Sequence, residues 1–368
     1  MRENISCRML GWAGFFLCIL CGFGQVYAAE MPVNWPWRGV GLDNIGNTPA
    51  DIHELVHKLG INSVQLQLMP RLLAKRKKIS ANDAWNESLA WADKMLEACK
   101  EEKIVGIVEL KEFPIDINKK FNMTSPRFWL DANELNEVLG LIEKLAIHLH
   151  THGKELAAYD ILDEPVMLVG GVAVSPPGWP SFQEQIVKRI RAHDSLRWVV
   201  VKPGPWGQAS GYKQFSPLPF PWLVYSIHVY TPHSFTHQGI QSYKFDMTYP
   251  GEISGKYWDA VALEKELMPA IEFQKRNNVP VWVGEFSALR WAPGGEQYLK
   301  DLVGIFNRNG WGWSYFSFAT SWNGWNPNYD DSYTVSNEEA ELHKVGENSK
   351  RWQTVKSIFN VKDSVLTP

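Results

Sequence analysis

Two glutamates stand where apolar runs break off. Glu164 closes Tyr159-Asp160-Ile161-Leu162-Asp163 just before Pro165, and Glu285 closes Val281-Trp282-Val283-Gly284. A carboxylate ending an apolar strand is solvated, paired or used, because a buried charge without a partner is strongly destabilising. An ion pair with Lys111, Lys202 or Arg290 is the plainer alternative to a chemical role. Between the glutamates in chain order lies Ile227-His228-Val229-Tyr230, whose imidazole and phenol are two residues apart and share one face of an extended strand. Two facing carboxylates suit glycosidic bond cleavage. One, kept protonated, gives its proton to the leaving oxygen, and the other attacks or activates water. A carboxyl separation near ~5.5 Å means retention, and one above ~6.5 Å inversion.

Residues so far apart in the chain need a fold that brings strand ends together. Short runs rich in Val and Ile recur at Gly39–Leu42, Ile61–Leu68, Ile104–Leu110, Leu156–Leu162, Arg197–Val201, Leu223–Tyr230, Val279–Phe286 and Trp311–Phe318. Many are apolar at consecutive positions, as strands of a buried parallel sheet are. Helical patterns fall between them. Thr48-Pro49 is an N-cap followed by Pro at the first helical position, with Ile52, Leu55, Val56 and Leu59 at helical period before Gly60. Further helices are expected from Ser80 to about Lys103, from Ser125 to Gly153, and over Phe182–His193, Trp258–Asn277, Glu296–Asn309 and Val345–Phe359. After the fifth strand there is only a short helical candidate within Gly207–Phe215, and Thr231–Lys256 reads as a large loop.

Eight strands with intervening helices predict a (β/α)8 TIM barrel forming a single domain over residues 30–368. Gly39-Val40-Gly41-Leu42 lacks the third glycine and helix start of a dinucleotide site. In such barrels the reactive groups sit at the C-terminal strand ends. Those positions hold Gln65 and Gln67, Glu109 and Lys111, Asp160, Asp163 and Glu164, Lys202, His228 and Tyr230, Glu285, and Phe316 with Trp322 beyond it.

The chain has 368 residues, 45% hydrophobic and 21% charged, so a large core is available and general disorder is excluded. Its net charge of −3 without a like-charge block argues against nucleic-acid binding. Residues 1–29 read as a secretory signal, with Arg2 and Arg8 before an apolar stretch from Leu10 to Gly24. The expectation is a secreted or periplasmic protein, monomeric and free of the membrane once the signal is removed. Cys7, Cys18 and Cys21 leave with it, and Cys99 alone forms no internal disulfide and reads as a buried, inert thiol. Eighteen tryptophans are a marked excess and suit either core packing or stacking on sugars. Trp291 and Trp322, in loops after strands seven and eight, are stacking candidates, whereas Trp85, Trp91 and Trp129 fall on helices. His148, His150 and His152 have no carboxylate at ligand spacing, so neither a metal site nor another cofactor is expected.

At these residues the chain resembles the cellulase family of glycoside hydrolases, family 5. Leu162-Asp163-Glu164-Pro165 is similar to the family's Asn-Glu-Pro ending of strand four, and Gly284-Glu285-Phe286 to its Gly-Glu-Phe ending of strand seven. Ile227-His228-Val229-Tyr230-Thr231-Pro232 and Gly312-Trp313-Ser314-Tyr315-Phe316 resemble the motifs of strands six and eight. The resemblance implies retaining hydrolysis of a β-linked saccharide, with Glu164 as acid/base, Glu285 as nucleophile, and His228 and Tyr230 orienting nucleophile and sugar.

Four positions depart from the pattern. Asp163 stands where the family has an Asn that bonds the sugar 2-hydroxyl, and Gln65 where it has an Arg paired with the nucleophile. Lys111 takes the place of a His, and Phe316 that of the Trp flooring the cleavage subsite, unless Trp322 moves in. Losing the Arg removes a cation beside Glu285, which Lys111 restores if its amine reaches the site. An ionised Asp163 favours the protonated form of Glu164. Lys111, Lys202 and Arg290 around the cleft would suit an anionic polysaccharide. Two other readings stay open: a barrel that binds saccharide without cleaving it, and a lyase or aldolase using Lys111 or Lys202 as a Schiff base.

Overall fold

The computed structural model describes residues 31–112, 124–240, 243–329 and 344–361. The expected signal segment lies outside them. Eight parallel strands close into a barrel in chain order: Arg38–Asp43, Ser63–Leu68, Val105–Leu110, Leu156–Asp160, Trp198–Val201, Leu223–Val229, Val281–Phe286 and Gly312–Tyr315. The first pairs with the last through Arg38–Trp313, Gly39–Ser314 and Val40–Tyr315. Each expected strand is present; the first is longer by one residue at each end, and the ends of the others are trimmed by up to three residues. The fold is thus a TIM barrel, as the strand pattern predicted.

Alternation within the strands decides which residues reach the barrel axis. In Ser63–Leu68, Val64, Leu66 and Leu68 join the main core between sheet and helices, whereas Gln65 and Gln67 are buried on the other face. A smaller interior cluster of Trp37, Val105, Ile107, Ala158, Val200, Val224 and Trp282 fills the barrel. Trp37 and Trp282 meet edge to face there with centroids 6.0 Å apart.

The helices follow their signals. Pro49–Leu59 starts at Thr48, which forms a capping box with Asp51, and ends at Gly60 with φ 68°. Ala81–Glu101 is capped by the Ser80 side chain, which accepts from the Asp83 amide. The single helix expected from Ser125 is two, Pro126–Leu130 and Ala132–Leu149, because Asp131 is extended and caps the second with its carboxylate. A helix at Pro70–Lys77 went unforeseen; its basic sequence has little apolar periodicity, and it begins on a Pro. The segment expected as one loop from Thr231 contains a helical turn, His233–Thr236, and opens an antiparallel hairpin of Gly251–Ile253 with Lys256–Trp258. A second hairpin, Met167–Val169 with Val172–Val174, follows strand four. Among the described residues no helix is long and apolar enough to cross a membrane.

Candidate active site

The polar residues at the C-terminal strand ends form two layers. In the lower one, Lys202 Nζ lies 2.9 Å from Asp160 Oδ1 and 4.0 Å from Glu109 Oε1, with all three side chains fully buried. Gln65 donates to Glu109 Oε2 at 3.1 Å and accepts from the Ser314 hydroxyl at 3.3 Å. Burial works against the Lys202 ammonium, yet Asp160 and Glu109 outweigh it and hold the amine above its usual pKa.

Lys111, two residues beyond Glu109 on the same strand face, links this layer to the next. Its amine donates to Asp163 Oδ1 at 2.7 Å and to Glu285 Oε1, and it stands 4.0 Å from Glu109. Burial again opposes the charge, but Asp163, Glu109 and Glu285 together raise the Lys111 pKa well above normal. Asp163 is correspondingly held below the usual carboxylate range: burial pushes it up, and Lys111 and His228 more than reverse that.

In the upper layer His228 Nδ1 lies 2.9 Å from Glu164 Oε1 and 3.7 Å from Glu285 Oε2. The Tyr230 hydroxyl donates to Glu285 Oε2 at 2.9 Å. Burial lowers the His228 pKa to about 4, so the ring is neutral near pH 7. Burial and then the charge of Asp163 raise Glu164 to about 8. Burial also raises Glu285, with Lys111 and His228 pulling the other way. Tyr230 is kept a neutral donor by burial and by Glu285 and Glu164.

Glu285 faces this cluster because its strand is irregular. Trp282 points into the barrel and Val283 outward, so strict alternation would turn Glu285 outward as well. The register against strand six shifts between Val283 and Glu285, pairing Val283 with Ile227 and Glu285 with His228, so Gly284 is a surplus residue. A Cβ at Gly284 would lie 2.9 Å from Ser226 Oγ and 3.3 Å from His228 Nε2. Glycine therefore suits both the bulge and the crowded interior.

An aromatic wall borders the cluster. Phe316 contacts Trp322, Trp325 and Tyr230 with centroid separations of 5.8, 5.9 and 6.2 Å, and Lys111 Nζ lies 5.2 Å from its ring centre. Trp291 packs on the same cluster and donates its indole N–H to the Gln238 carbonyl at 2.8 Å. Trp322 remains half-buried. Its loop is fastened by Asp43, which accepts from the Thr320 hydroxyl at 2.9 Å and the Ser321 amide at 2.8 Å. Trp85 and Trp129 are core residues, and Trp91 is half-buried against the core.

The structure thus brings Glu164, Glu285, Asp163, His228, Tyr230, Lys111, Phe316 and Trp322 to one place. Gln65 lies in the lower layer, 1% exposed and bonded within the barrel. Glu285 is ion-paired with Lys111 through Oε1, and Glu164 pairs with a neutral histidine. Lys202 and Arg290 do not offer charge to a ligand as the anionic-substrate idea requires. Lys202 is fully buried against Asp160, and Arg290 is 2% exposed with its Nε bonded to the Asn323 carbonyl.

One group of described residues has metal-ligand geometry: atoms of Glu109, Asp163, His228 and Glu285 lie within 4.8 Å of one another. The Lys111 ammonium contacts the three carboxylates, so the cation they demand is already supplied by the chain. His148 and His152 each bond Asp93, both at 2.9 Å, a partner on another helix that sequence spacing could not reveal. Cys99 is buried, and burial raises its thiol pKa.

Two residues, Asp43 and Trp206, and the contacts of a third escaped sequence reasoning. Glu109 was visible as a strand-end acid, but its links to both lysines were not. Asp43 directly follows the first apolar run, which was its only signal. Trp206, at φ 58°, belongs to the loop after strand five, where its amide bonds the Pro165 carbonyl at 3.1 Å and the next residue's carbonyl accepts from the His228 amide at 3.0 Å. Its half-buried ring lies in none of the hydrophobic clusters.

Comparison with known proteins agrees with this architecture. The cellulase model, glycosyl hydrolase family 5, matches residues 26–321. Endoglucanase C of Acetivibrio thermocellus is 24% identical over 265 residues, covering 62% of this chain and 73% of that protein. Endoglucanase 3 of Fibrobacter succinogenes is 22% identical over 220 residues, covering 52% of this chain and 33% of that protein. Among solved structures, Thermotoga maritima Cel5A in complex with mannotriose superposes with a TM-score of 0.63 at 18% identity, covering 88% of this chain and 97% of that one. The cellulose synthase subunit Z (CcsZ) of Clostridioides difficile gives 0.63 at 16% identity, covering 88% and 99%. The match of the family model over most of the chain settles membership: this protein belongs to the cellulase family, glycosyl hydrolase family 5, and is a glycosidase acting on a β-linked glycan.

Proposed function

We propose that the protein hydrolyses a β-linked poly- or oligosaccharide with retention, using Glu164 as acid/base and Glu285 as nucleophile. The observation that carries this reading is the pair of contacts at His228 Nδ1, 2.9 Å to Glu164 and 3.7 Å to Glu285. Oxygens on those two legs lie no farther apart than the legs laid end to end, which is the bottom of the inverting range of roughly 6.5–9.5 Å. Any bend at the nitrogen brings them closer, toward the spacing for direct attack.

The two acids also differ in the required sense. Glu164, with a pKa of about 8, holds a proton at neutral pH and gives it to the departing oxygen. Glu285 has one oxygen on Lys111 and the other on the Tyr230 hydroxyl, which supports an anion. In the first step Glu285 Oε2 bonds the anomeric carbon as the glycosidic bond breaks and Glu164 protonates the leaving oxygen. In the second, Glu164 takes a proton from water, the water oxygen bonds the anomeric carbon, and Glu285 is released. His228, neutral and placed between the acids, orients both.

The half-buried Trp322 against Phe316 supports sugar stacking at the wall. Because two relatives are named endoglucanases, β-glucans are the first substrates to assay. The Schiff-base alternative has little support, since both lysines are buried among carboxylates that keep them protonated and an ammonium has no lone pair to attack with. With residues 1–29 read as an export leader, the enzyme acts in the periplasm or outside the cell.

The test is NMR of the first-formed product from an aryl β-glycoside or β-glucan, with Glu285→Gln and Glu164→Gln beside the wild type. A β-anomer first, together with loss of turnover in Glu285→Gln, is the expected result. An α-anomer first, or undiminished turnover in Glu285→Gln, overturns the assignment. Saccharide binding without product favours a barrel that binds but does not cleave.

A further inference from the structure

Glu285 needs a cation. It is 3% exposed, and a buried carboxylate stripped of its partner is strongly destabilised. Among the described residues the one Lys or Arg paired with it is Lys111, whose amine takes Oε1 and leaves Oε2 to Tyr230. The two oxygens therefore have fixed and different partners, and the plane of the carboxylate is set. Lys111 could not hold that position alone. Its long side chain is buried with three carboxyl groups around it, and its second close bond, 2.7 Å to Asp163 Oδ1, aims the amine. Asp163 and Glu285, together with Glu109 and His228, have the spacing of a cation cage, and the ammonium contacts all three of its carboxylates.

We propose that Lys111 is the positioning residue for Glu285 and that Asp163 is the carboxylate that holds Lys111 in place, so that the two act as one unit. This rests on Glu285 being the nucleophile only for its catalytic meaning; the electrostatic unit itself is independent of that assignment. Lys111 therefore serves the protein's own carboxylate rather than an anionic substrate.

The unit has a signature that simple packing lacks. Removing Lys111 leaves Glu285 and Asp163 without the cation they share, so Glu285 should hold its proton to higher pH. Replacing Asp163 by Asn takes away one anion but keeps an oxygen that accepts from the ammonium, so Lys111 stays on Glu285 and Glu285 should lose its proton at lower pH. Removing both should give an intermediate value.

The experiment is a carbon-13 NMR titration of glutamate-labelled full-length protein, with the Glu285 signal assigned through Glu285→Gln. Wild type, K111M, K111R, D163N and K111M/D163N are compared, and kcat/KM against pH is measured on the same samples. The expected result is a rise of roughly 1–3 pH units for Glu285 in K111M, partial reversal in K111M/D163N, a fall in D163N and near wild-type behaviour in K111R. The acidic limb of kcat/KM should move the same way. A Glu285 titration that is unchanged in both K111M and D163N overturns the proposal. If K111M fails to fold, D163N and K111R decide, because they alter the balance without emptying the cage. Because the titration needs no turnover, an inactive wild type would count against the hydrolase reading while leaving this result readable.

Discussion

The hydroxyl of Tyr230 donates to Oε2 of Glu285 at 2.9 Å, from a side chain two residues beyond His228 and just past the end of the neighbouring strand. Hydrogen bonds to charged groups contribute about 1.5–3 kcal/mol. The phenol therefore both orients the carboxylate and moderates its basicity, and it must release that oxygen as the bond to the sugar forms.

Tyr230→Phe should accordingly lower kcat/KM by about 10- to 100-fold, following that energy range. Steady-state kinetics on an aryl β-glycoside, with thermal melting as a control, read the effect. Wild-type kinetics in the variant would show that the phenol is idle.

The proton on Glu164 sets a pH limit. Its pKa of about 8 means the acid is present below that value and lost above it, so kcat/KM should fall about tenfold per unit on the alkaline side. Because Asp163 raises that pKa, Asp163→Asn should draw the alkaline limb to lower pH. A limb that stays in place, measured on a substrate whose leaving group needs protonation, would separate Asp163 from the acid.

Gly284→Ala adds a methyl group 2.9 Å from Ser226 Oγ and 3.3 Å from His228 Nε2. Overpacking of this kind costs about 1–3 kcal/mol, and here the Ser226 hydroxyl must shift and the imidazole between the two acids must give slightly. The variant should melt lower and lose more activity than its folded fraction explains. Calorimetry and kinetics on the same preparation test this, and an unaltered kcat/KM would show the interior to be slack at that point.

Trp322→Ala removes a half-buried ring from the wall formed with Phe316. KM for an oligosaccharide should rise by about tenfold, the effect of an aromatic contact near 1–1.5 kcal/mol, with a smaller change for a compact aryl glycoside. Asp43→Ala, which unties the Thr320–Ser321 loop, should reproduce part of that rise at a distance from the sugar. Equal KM values for all three proteins would remove Trp322 from the binding surface.

The barrel was legible because its strands are buried on both faces, and runs such as Trp198-Val199-Val200-Val201 need no partner to be recognised. The two acids were legible for the same reason, each being a charge that ends such a run. The arrangement around them was not. Whether Lys111 reaches Glu285 depends on the closure of the barrel, and the pairing of Asp93 with His148 and His152 depends on how two helices pack. The helix Pro70–Lys77 has hardly any apolar stripe to betray it. Local pattern specifies the elements, whereas long-range contacts between unlike side chains specify the site.

The one-residue surplus in Trp282-Val283-Gly284-Glu285 reverses the parity of the strand. Straightening the strand with all four residues kept, so that Gly284 pairs with His228, would restore a regular ladder and swing the carboxylate into the helix layer, giving a tidier sheet and an inert pocket. Thermostabilising this protein by idealising its strands would therefore fail at this point, because the irregularity is what aims the acid.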